Sequence, residues 1–231
     1  MLFILLIFCF SLTIISCGDD KEEYSATVTT DDTTTTDNTT TTDNTTTEES
    51  PKFVAVGNGG RLITSSDGTT WTTRTSGTSN TLNRVTYGNN MFIAVGDSGT
   101  IIASSDGISW TSRTSGTSNA LRDVVYGNNN FLIAEFIHTP SKILKSSNGI
   151  DWTSSSTGIS YTMYALTYGN NIFIAGGSSG RIITSTDASS WTERNSGTTL
   201  DLNNIVFGNN TFVAVGASNN LVPAITISSD G

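Results

Sequence analysis

From residue 53 onward, apolar and polar positions alternate in short runs separated by turn residues, and the runs return in a fixed order. One period, residues 82–116, shows the plan. Residues 82–87 (LNRVTY) alternate, which predicts a short strand. Gly88-Asn89-Asn90 predicts a turn, because Gly and Asn adopt positive φ at low cost. Residues 91–96 (MFIAVG) are apolar almost without interruption, as in a strand covered on both faces. Asp97-Ser98-Gly99 turns the chain again, and residues 100–105 predict a third strand. Asp106-Gly107 is a hairpin signal of the type I′ kind, leading to a fourth strand over 109–114.

Three markers fix the repeat length. Trp71, Trp110, Trp152 and Trp191 are 39, 42 and 39 residues apart. YGNN begins at Tyr87, Tyr126 and Tyr168, and returns as FGNN at Phe207. FVAVG at Phe53 has counterparts at Phe92, Phe131, Phe173 and Phe212. Four short strands per period of about 40 residues predict an all-β fold, a β-propeller of four-stranded antiparallel blades. One meander cannot bury both its faces; stacked radially against its copies, it can. The units are 53–75, 82–114, 121–156, 163–195 and 202–231. The first enters on a second strand and the fifth stops at its SSDG turn, so the expected strand counts are three, four, four, four and three, an incomplete or open array.

Each unit carries one box: SSDGTTW at 65–71, SSDGISW at 104–110, SSNGIDW at 146–152, STDASSW at 185–191, and SSDG at 228–231. The Asp is expected to accept hydrogen bonds from the N–H groups of its own turn, the Gly to supply positive φ, and the Trp to pack between sheets with its N–H seeking one partner. The structural set is Asp67, Gly68, Trp71, Asp106, Gly107, Trp110, Asn148, Gly149, Trp152, Asp187, Trp191 and Asp230. These boxes resemble the Asp-box, or BNR repeat, of sialidases, sortilin-type receptors and photosystem II assembly-factor-like propellers. The variant here is one residue shorter between Asp and Trp, has Asn148 for Asp in the third copy, and Ala188 for Gly in the fourth. The resemblance covers 53–231 and implies a fold, not an activity, since the box is a folding element in that superfamily.

The N-terminal part is a different material. Residues 1–16 are nearly all apolar and read as an export signal, too short to span a bilayer as a helix, which takes about 20 residues. Ile14-Ile15-Ser16-Cys17 resembles a bacterial lipobox, which implies lipidation at Cys17; no Lys or Arg precedes the apolar run, unlike the usual pattern. Cys9 and Cys17 are the only cysteines, so no disulfide is expected in the repeats. Residues 17–50 are Thr-rich and acidic, too poor in apolar groups to offset the entropy of ordering, and predict a disordered tether. The whole net charge of −9 lies there, because residues 51–231 hold ten acids and ten bases. The acidic balance therefore says nothing about what the repeats bind. The expected location is the bacterial cell envelope, lipid-anchored, at the outer membrane or cell surface rather than the inner membrane.

The search for chemistry finds no catalytic constellation. Arg74, Arg113 and Arg194 each follow a Trp by three residues, and Arg61 and Arg181 open equivalent strands. A carboxylate-gripping cluster should break the repeat, and these follow it; they read as solvated faces or inter-blade ion pairs. Asp123 and Asp201 are the best placed pair of acids for glycoside hydrolysis. His138 has no second His or Cys with which to hold a metal. No phosphate loop and no basic patch appears, so neither cofactor, metal nor nucleic acid is expected. Irregular loops mark candidate binding positions, because the scaffold does not need irregularity: Glu135, His138 and Lys142 in the third unit, Asn219 and Asn220 in the fifth. The first expectation is an exported module that binds a protein or glycan. A carbohydrate-active hydrolase and a structural surface protein remain open.

Overall fold

A computed structural model describes residues 50–137, 140–217 and 223–231. The signal, Cys17 and the tether up to residue 49 lie outside the described residues, as do His138, Asn219 and Asn220.

The described chain is five antiparallel sheets, one per repeat, with no α-helix among the described residues. Blade one is β1 (Phe53–Val56), β2 (Leu62–Ser65) and β3 (Thr72–Arg74). Blade two is β4 (Leu82–Gly88), β5 (Met91–Gly96), β6 (Ile101–Ser104) and β7 (Thr111–Arg113). Blade three is β8 (Leu121–Gly127), β9 (Asn130–Glu135), β10 (Lys142–Ser146) and β11 (Thr153–Ser156). Blade four is β12 (Met163–Gly169), β13 (Ile172–Gly177), β14 (Ile182–Ser185) and β15 (Thr192–Arg194). Blade five is β16 (Leu202–Gly208), β17 (Thr211–Ala217) and β18 (Pro223–Ser228). Every sheet is a simple meander, as expected for propeller blades.

The blades pack in chain order through their faces. Leu62, Leu82 and Ile102 fill the space between blades one and two. Ile93, Ile101, Phe131 and Leu144 fill the next. Leu132, Ile143, Phe173 and Ile183 lie between three and four, and Ile174, Leu202, Phe212 and Ala224 between four and five. Each fully buried Phe or Leu stabilises by roughly 1.5–3 kcal/mol. On blade five the outward face is open, with Ile225 and Ile227 69% and 67% exposed.

The YGNN motif serves this stacking. Asn89 and Asn90 both take positive φ, 46° and 56°, and form the two-residue hairpin between β4 and β5. The preceding Gly88, Gly127 and Gly169 lie flat against the rings of Tyr126, Tyr168 and Phe207 of the next blade, where a Cβ would overlap the ring. This corrects one expectation. The type I′ geometry, positive φ at both central residues, belongs to Asn89-Asn90 and not to Asp106-Gly107. In the box only Gly107 is left-handed, at φ 72°. Six residues, 66–71, then separate β2 from β3, so the fourth strand is shorter than expected and begins after the Trp.

The boxes tie their own turns. The Asp67 Oδ1 accepts from the Ser65 hydroxyl at 2.9 Å and from the N–H of Thr69 and Thr70, both at 2.8 Å. Asp106 and Asp187 repeat these two N–H contacts at 2.8 Å. Asn148 keeps them through its amide oxygen at 2.9 and 3.0 Å. Those donors hold the carboxyls of Asp67 and Asp106 below the usual range, and that of Asp187 down at about 2. Trp71, Trp110 and Trp152 pack at a tilt against the Phe of the second strand, with ring centroids 6.2 Å apart for Phe92–Trp110 and 6.4 Å for Phe131–Trp152. Trp110 donates its N–H to Gly107 O at 3.1 Å, whereas the buried Nε1 of Trp152 has no partner among the described residues. Its partner was expected, and the packing alone holds that ring.

Candidate functional site

Residues that could act on a ligand gather at the end of the blades opposite the Asn-Asn hairpins. There the loops between second and third strands meet the loops that lead into each next blade. A β-bulge sits at the start of every innermost strand at this end. The register slips between Leu82 and Arg84, Leu121 and Asp123, Met163 and Ala165, and Leu202 and Asn204. The extra residue at each slip is Asn83, Arg122, Tyr164 or Asn203. A bulge re-aims a side chain out of the ladder; Asn stands at two of these positions and Arg and Tyr at the other two, and the residue after each (Arg84, Asp123, Ala165, Asn204) varies as well.

Asn83, Arg122 and Tyr164 each contact a neighbouring residue. Asn83 donates to Asp97 Oδ1 at 3.1 Å and to the Leu121 carbonyl of the next blade at 2.9 Å. Arg122 lies over the Phe136 ring, 4.3 Å from its centroid, a cation–π contact of roughly 0.5–1 kcal/mol at an exposed site. Phe136 in turn stands 6.1 Å from Tyr164. Burial first, and then the nearby Asp201 carboxylate, push the Tyr164 phenol above its ordinary value, while Arg122 pulls it back. Asp201 accepts the N–H of Ser179 at 2.8 Å. The result is a strip of amide, guanidinium, two aromatic rings and a carboxylate running over blades two to four. A shallow polar groove lined by Ser179, Arg181, Glu193 and Thr198 adjoins it.

Beneath the strip the innermost strands are tied together. The Asp123 carboxylate meets Arg84 Nε at 3.0 Å and the N–H of Val124 and Leu166, both at 2.8 Å. Arg84 reaches Asn204 Oδ1 of blade five at 3.5 Å. Asp123 is 4% exposed. Burial pushes its carboxyl up, against the pull of Arg84 and the two N–H donors. Both Asp123 oxygens are taken, so this carboxylate is a tie between blades two, three and four, and it does not form an open pair with Asp201.

The candidates read from the sequence divide on inspection. Glu135 is 1% exposed and is not on offer to a ligand; its Oε1 accepts from the Thr117 hydroxyl at 2.7 Å and the Asn119 amide at 2.6 Å. It fastens one loop to another, because a buried carboxylate takes whatever donors the adjoining loop supplies. Lys142 opens β10 and is half-buried. The repeated arginines stay largely within their own blades. Arg74 and Arg194 each donate Nε to a Thr of the neighbouring strand, Thr64 and Thr184, at 3.0 Å, and Arg181 pairs with Glu193 on the adjacent strand. The inter-blade ion pair is instead Arg84–Asp123. Among the described residues no group of three metal-ligating side chains comes together. Arg122, Phe136 and Tyr164 were missed, although second-position variation across LNRVTYG, LRDVVYG, MYALTYG and LNNIVFG is visible in the chain.

No protein-family model matches the chain, and no curated protein sequence does. Solved structures do match. The structure of YCF48 bound to D1 peptide aligns with a TM-score of 0.57 at 20% identity, over 77% of this chain and 59% of that one. Virginiamycin B lyase from Staphylococcus aureus gives 0.57 at 11% identity, over 75% and 68%. The nidogen/laminin complex gives 0.55 at 13%, over 74% and 78%. The chain thus spans less than two thirds of that YCF48 chain. These likenesses show the β-propeller fold.

Proposed function

We propose that the protein is a non-catalytic binding module of the bacterial cell envelope, lipid-anchored through Cys17, whose loop face holds a segment of a partner protein. The observation that carries this reading is the strip Asn83–Arg122–Phe136–Tyr164–Asp201. Asn83, Arg122 and Tyr164 sit on bulges of the innermost strands, and Phe136 and Asp201 stand in the adjoining loops. A guanidinium and aromatic rings beside amides and a carboxylate suit an extended polypeptide, whose side chains need stacking and whose backbone needs donors and acceptors. Two of the similar propellers are seen with polypeptide partners, YCF48 with D1 peptide and nidogen with laminin. The tether would let the module reach roughly 30–35 Å from the membrane as a flexible coil.

Site-specific photo-crosslinking in intact cells tests the proposal. A benzophenone amino acid at Tyr164 should give a discrete crosslinked protein, and the same group at Asn89, on the opposite end, should not. Equal products from both positions, or none from 164, would overturn the reading. A glycan array binding the wild type and not Arg122→Ala would move it to the glycan alternative. Fatty-acid labelling of the wild type that is lost in Cys17→Ser is the expected result for the anchor; equal labelling would remove it.

A further inference from the structure

We propose that Glu135 is the positioning residue of the loop-face strip: standing where the repeat otherwise has glycine, it replaces a tight turn by a loop that holds Phe136 between Arg122 and Tyr164. The proposal rests on the reading of that strip as a binding face. In register with the residue that opens each innermost strand, the second strands of blades two, four and five carry Gly96, Gly177 and Gly216, and that of blade three carries Glu135. Close approach of a carbonyl demands glycine there. A Cβ on Gly96 would lie 2.1 Å from Thr81 O, on Gly177 1.9 Å from Thr162 O, and on Gly216 1.7 Å from Asp201 O. Blade three has a full side chain at this crowded place, so its main chain cannot follow the others.

The departure shows in the turn that follows. Gly57, Gly96 and Gly177 lead into short 3₁₀ turns, Asn58–Gly60, Asp97–Gly99 and Ser178–Gly180. Behind Glu135 the Ile137 N–H instead returns to the Glu135 carbonyl at 2.9 Å, a tighter turn of the γ kind. The ladder up to that point is kept. Phe136 N–H reaches the Ala120 carbonyl at 2.8 Å, as Asp97 N–H reaches Thr81 and Ser178 N–H reaches Thr162 at 2.9 Å. Phe136 therefore takes the main-chain place of Asp97 and Ser178, and puts a ring where they put a short polar group. The centroid of that ring lies 4.3 Å from Arg122 Cζ and 6.1 Å from the Tyr164 centroid.

The Glu135 side chain holds this loop. The residue is 1% exposed. Its Oε1 alone accepts from the Thr117 hydroxyl at 2.7 Å and the Asn119 amide at 2.6 Å, while Oε2 is buried with no partner among the described residues. Thr117 and Asn119 belong to the segment that leads into β8, the strand of Arg122. In blade two the equivalent Asn80 donates instead to Thr100, just past the tight turn, at 2.9 Å. Asn119 thus clamps the Phe136 loop to the strand that carries Arg122. Contacts that rest on one carboxylate oxygen can be reproduced by a glutamine and not by a glycine.

The test places 3-fluorotyrosine at Tyr164 in the full chain and compares ¹⁹F spectra of Glu135→Gly, Glu135→Gln and Phe136→Ala. Glu135→Gly should move the resonance to the position found in Phe136→Ala, since either change takes the ring away from Tyr164. Glu135→Gln should leave it at the wild-type position. A Glu135→Gly resonance at the wild-type position overturns the proposal. A Glu135→Gln resonance that moves as in Glu135→Gly overturns it as well, because the charge and not the two contacts would then hold the loop. If Glu135→Gly does not fold, Thr117→Val, which removes one of the two donors, should shift the resonance in the same direction, and no shift overturns the proposal. The photo-crosslink at Tyr164 should be lost in Glu135→Gly and kept in Glu135→Gln; a crosslink that persists in Glu135→Gly overturns the positioning role. Absence of any crosslink in the wild type would remove the binding face itself, and the fluorine spectra would still decide whether Glu135 places Phe136.

Discussion

At the hairpin end of the blades, residues recur with their geometry. Gly-Asn-Asn turns appear four times with both Asn in positive φ, and four boxes place an Asp or Asn oxygen within 3.0 Å of two N–H groups. At the loop end the corresponding positions hold Asn83, Arg122, Tyr164 and Asn203, and the loops of blades three and five differ in length from the others. A position that every blade must satisfy is constrained by stacking. A position where the blades disagree either makes a contact peculiar to its blade, as Arg84 and Asp123 do, or is left for a ligand, as we propose for Arg122 and Tyr164. The comparison is sharp enough to be broken by measurement.

The largest effect should come from the innermost strands, which one buried ion pair ties together. Arg84→Met leaves Asp123 without its cation and is expected to cost about 3–5 kcal/mol at neutral pH. The sign with pH follows from the raised carboxyl of Asp123. A group that binds its proton more tightly when folded favours the folded state at low pH, and that contribution is lost as pH rises through its folded value. The Arg84→Met variant should therefore regain stability between neutral pH and about pH 4. Denaturant midpoints across that range check it; a variant equally weak at both pH values would show that packing, not charge, dominates.

Next comes the direct contrast between the ends. Trp152→Ala should cost about 3 kcal/mol, the lower end for a large aromatic because the ring is only partly buried. Tyr164→Ala and Arg122→Ala should each stay within about 1 kcal/mol while removing the crosslinked partner. If thermal unfolding ranked Tyr164→Ala as more damaging than Trp152→Ala, the division between a scaffold end and a binding end would fail.

How far this was legible in the chain follows the same division. Period, blade number and the turn residues were readable because stacking forces the same residue types into every unit. The site was not. Asp123 looked like a candidate acid because its strand alternation does not reveal that Leu166 N–H, 43 residues later, and Arg84, 39 earlier, converge on it. Glu135 read as a candidate binding position because it borders an insertion, whereas Thr117 and Asn119 take up its Oε1. Bulges are equally silent in sequence. One extra residue at the head of a strand shifts its register without altering composition, so Arg122 and Tyr164 read as ordinary strand positions.

A smaller effect separates the boxes from the innermost strands by its sign. The carboxyls of Asp67, Asp106 and Asp187 are held low by turn N–H groups. A folded value below the unfolded one contributes stability that is complete above the unfolded value of about 3.8 and is lost as pH falls towards about 2. Wild-type melting temperature should drop over that interval. The combined Asp67→Asn, Asp106→Asn, Asp187→Asn variant should drop less, since Asn148 shows that an amide oxygen keeps both contacts. Identical slopes for the two proteins would show that other carboxylates govern acid unfolding.

The smallest expected effect concerns the box that departs from its copies at the Gly position. Ala188 stands where the others have Gly, at φ 60°, a left-handed conformation that costs a residue with a Cβ about 1–2 kcal/mol. Its methyl group is 1% exposed, inside the core between blades three and four, and burying one such carbon returns about 0.8 kcal/mol. The two terms oppose each other. Ala188→Gly should therefore shift stability by less than about 1 kcal/mol. The reverse change is not symmetrical. At Gly149, φ 69°, a new Cβ would meet Met91 Sδ at 2.7 Å and Ile93 Cδ1 at 3.0 Å, so it gains the strain without the room. Gly149→Ala should cost about 2 kcal/mol, one part backbone and one part crowding. Paired unfolding curves decide the matter. Equal losses in both variants would mean that the fourth box is not relaxed around its alanine, and that the repeat tolerates less variation at its hairpin end than Ala188 suggests.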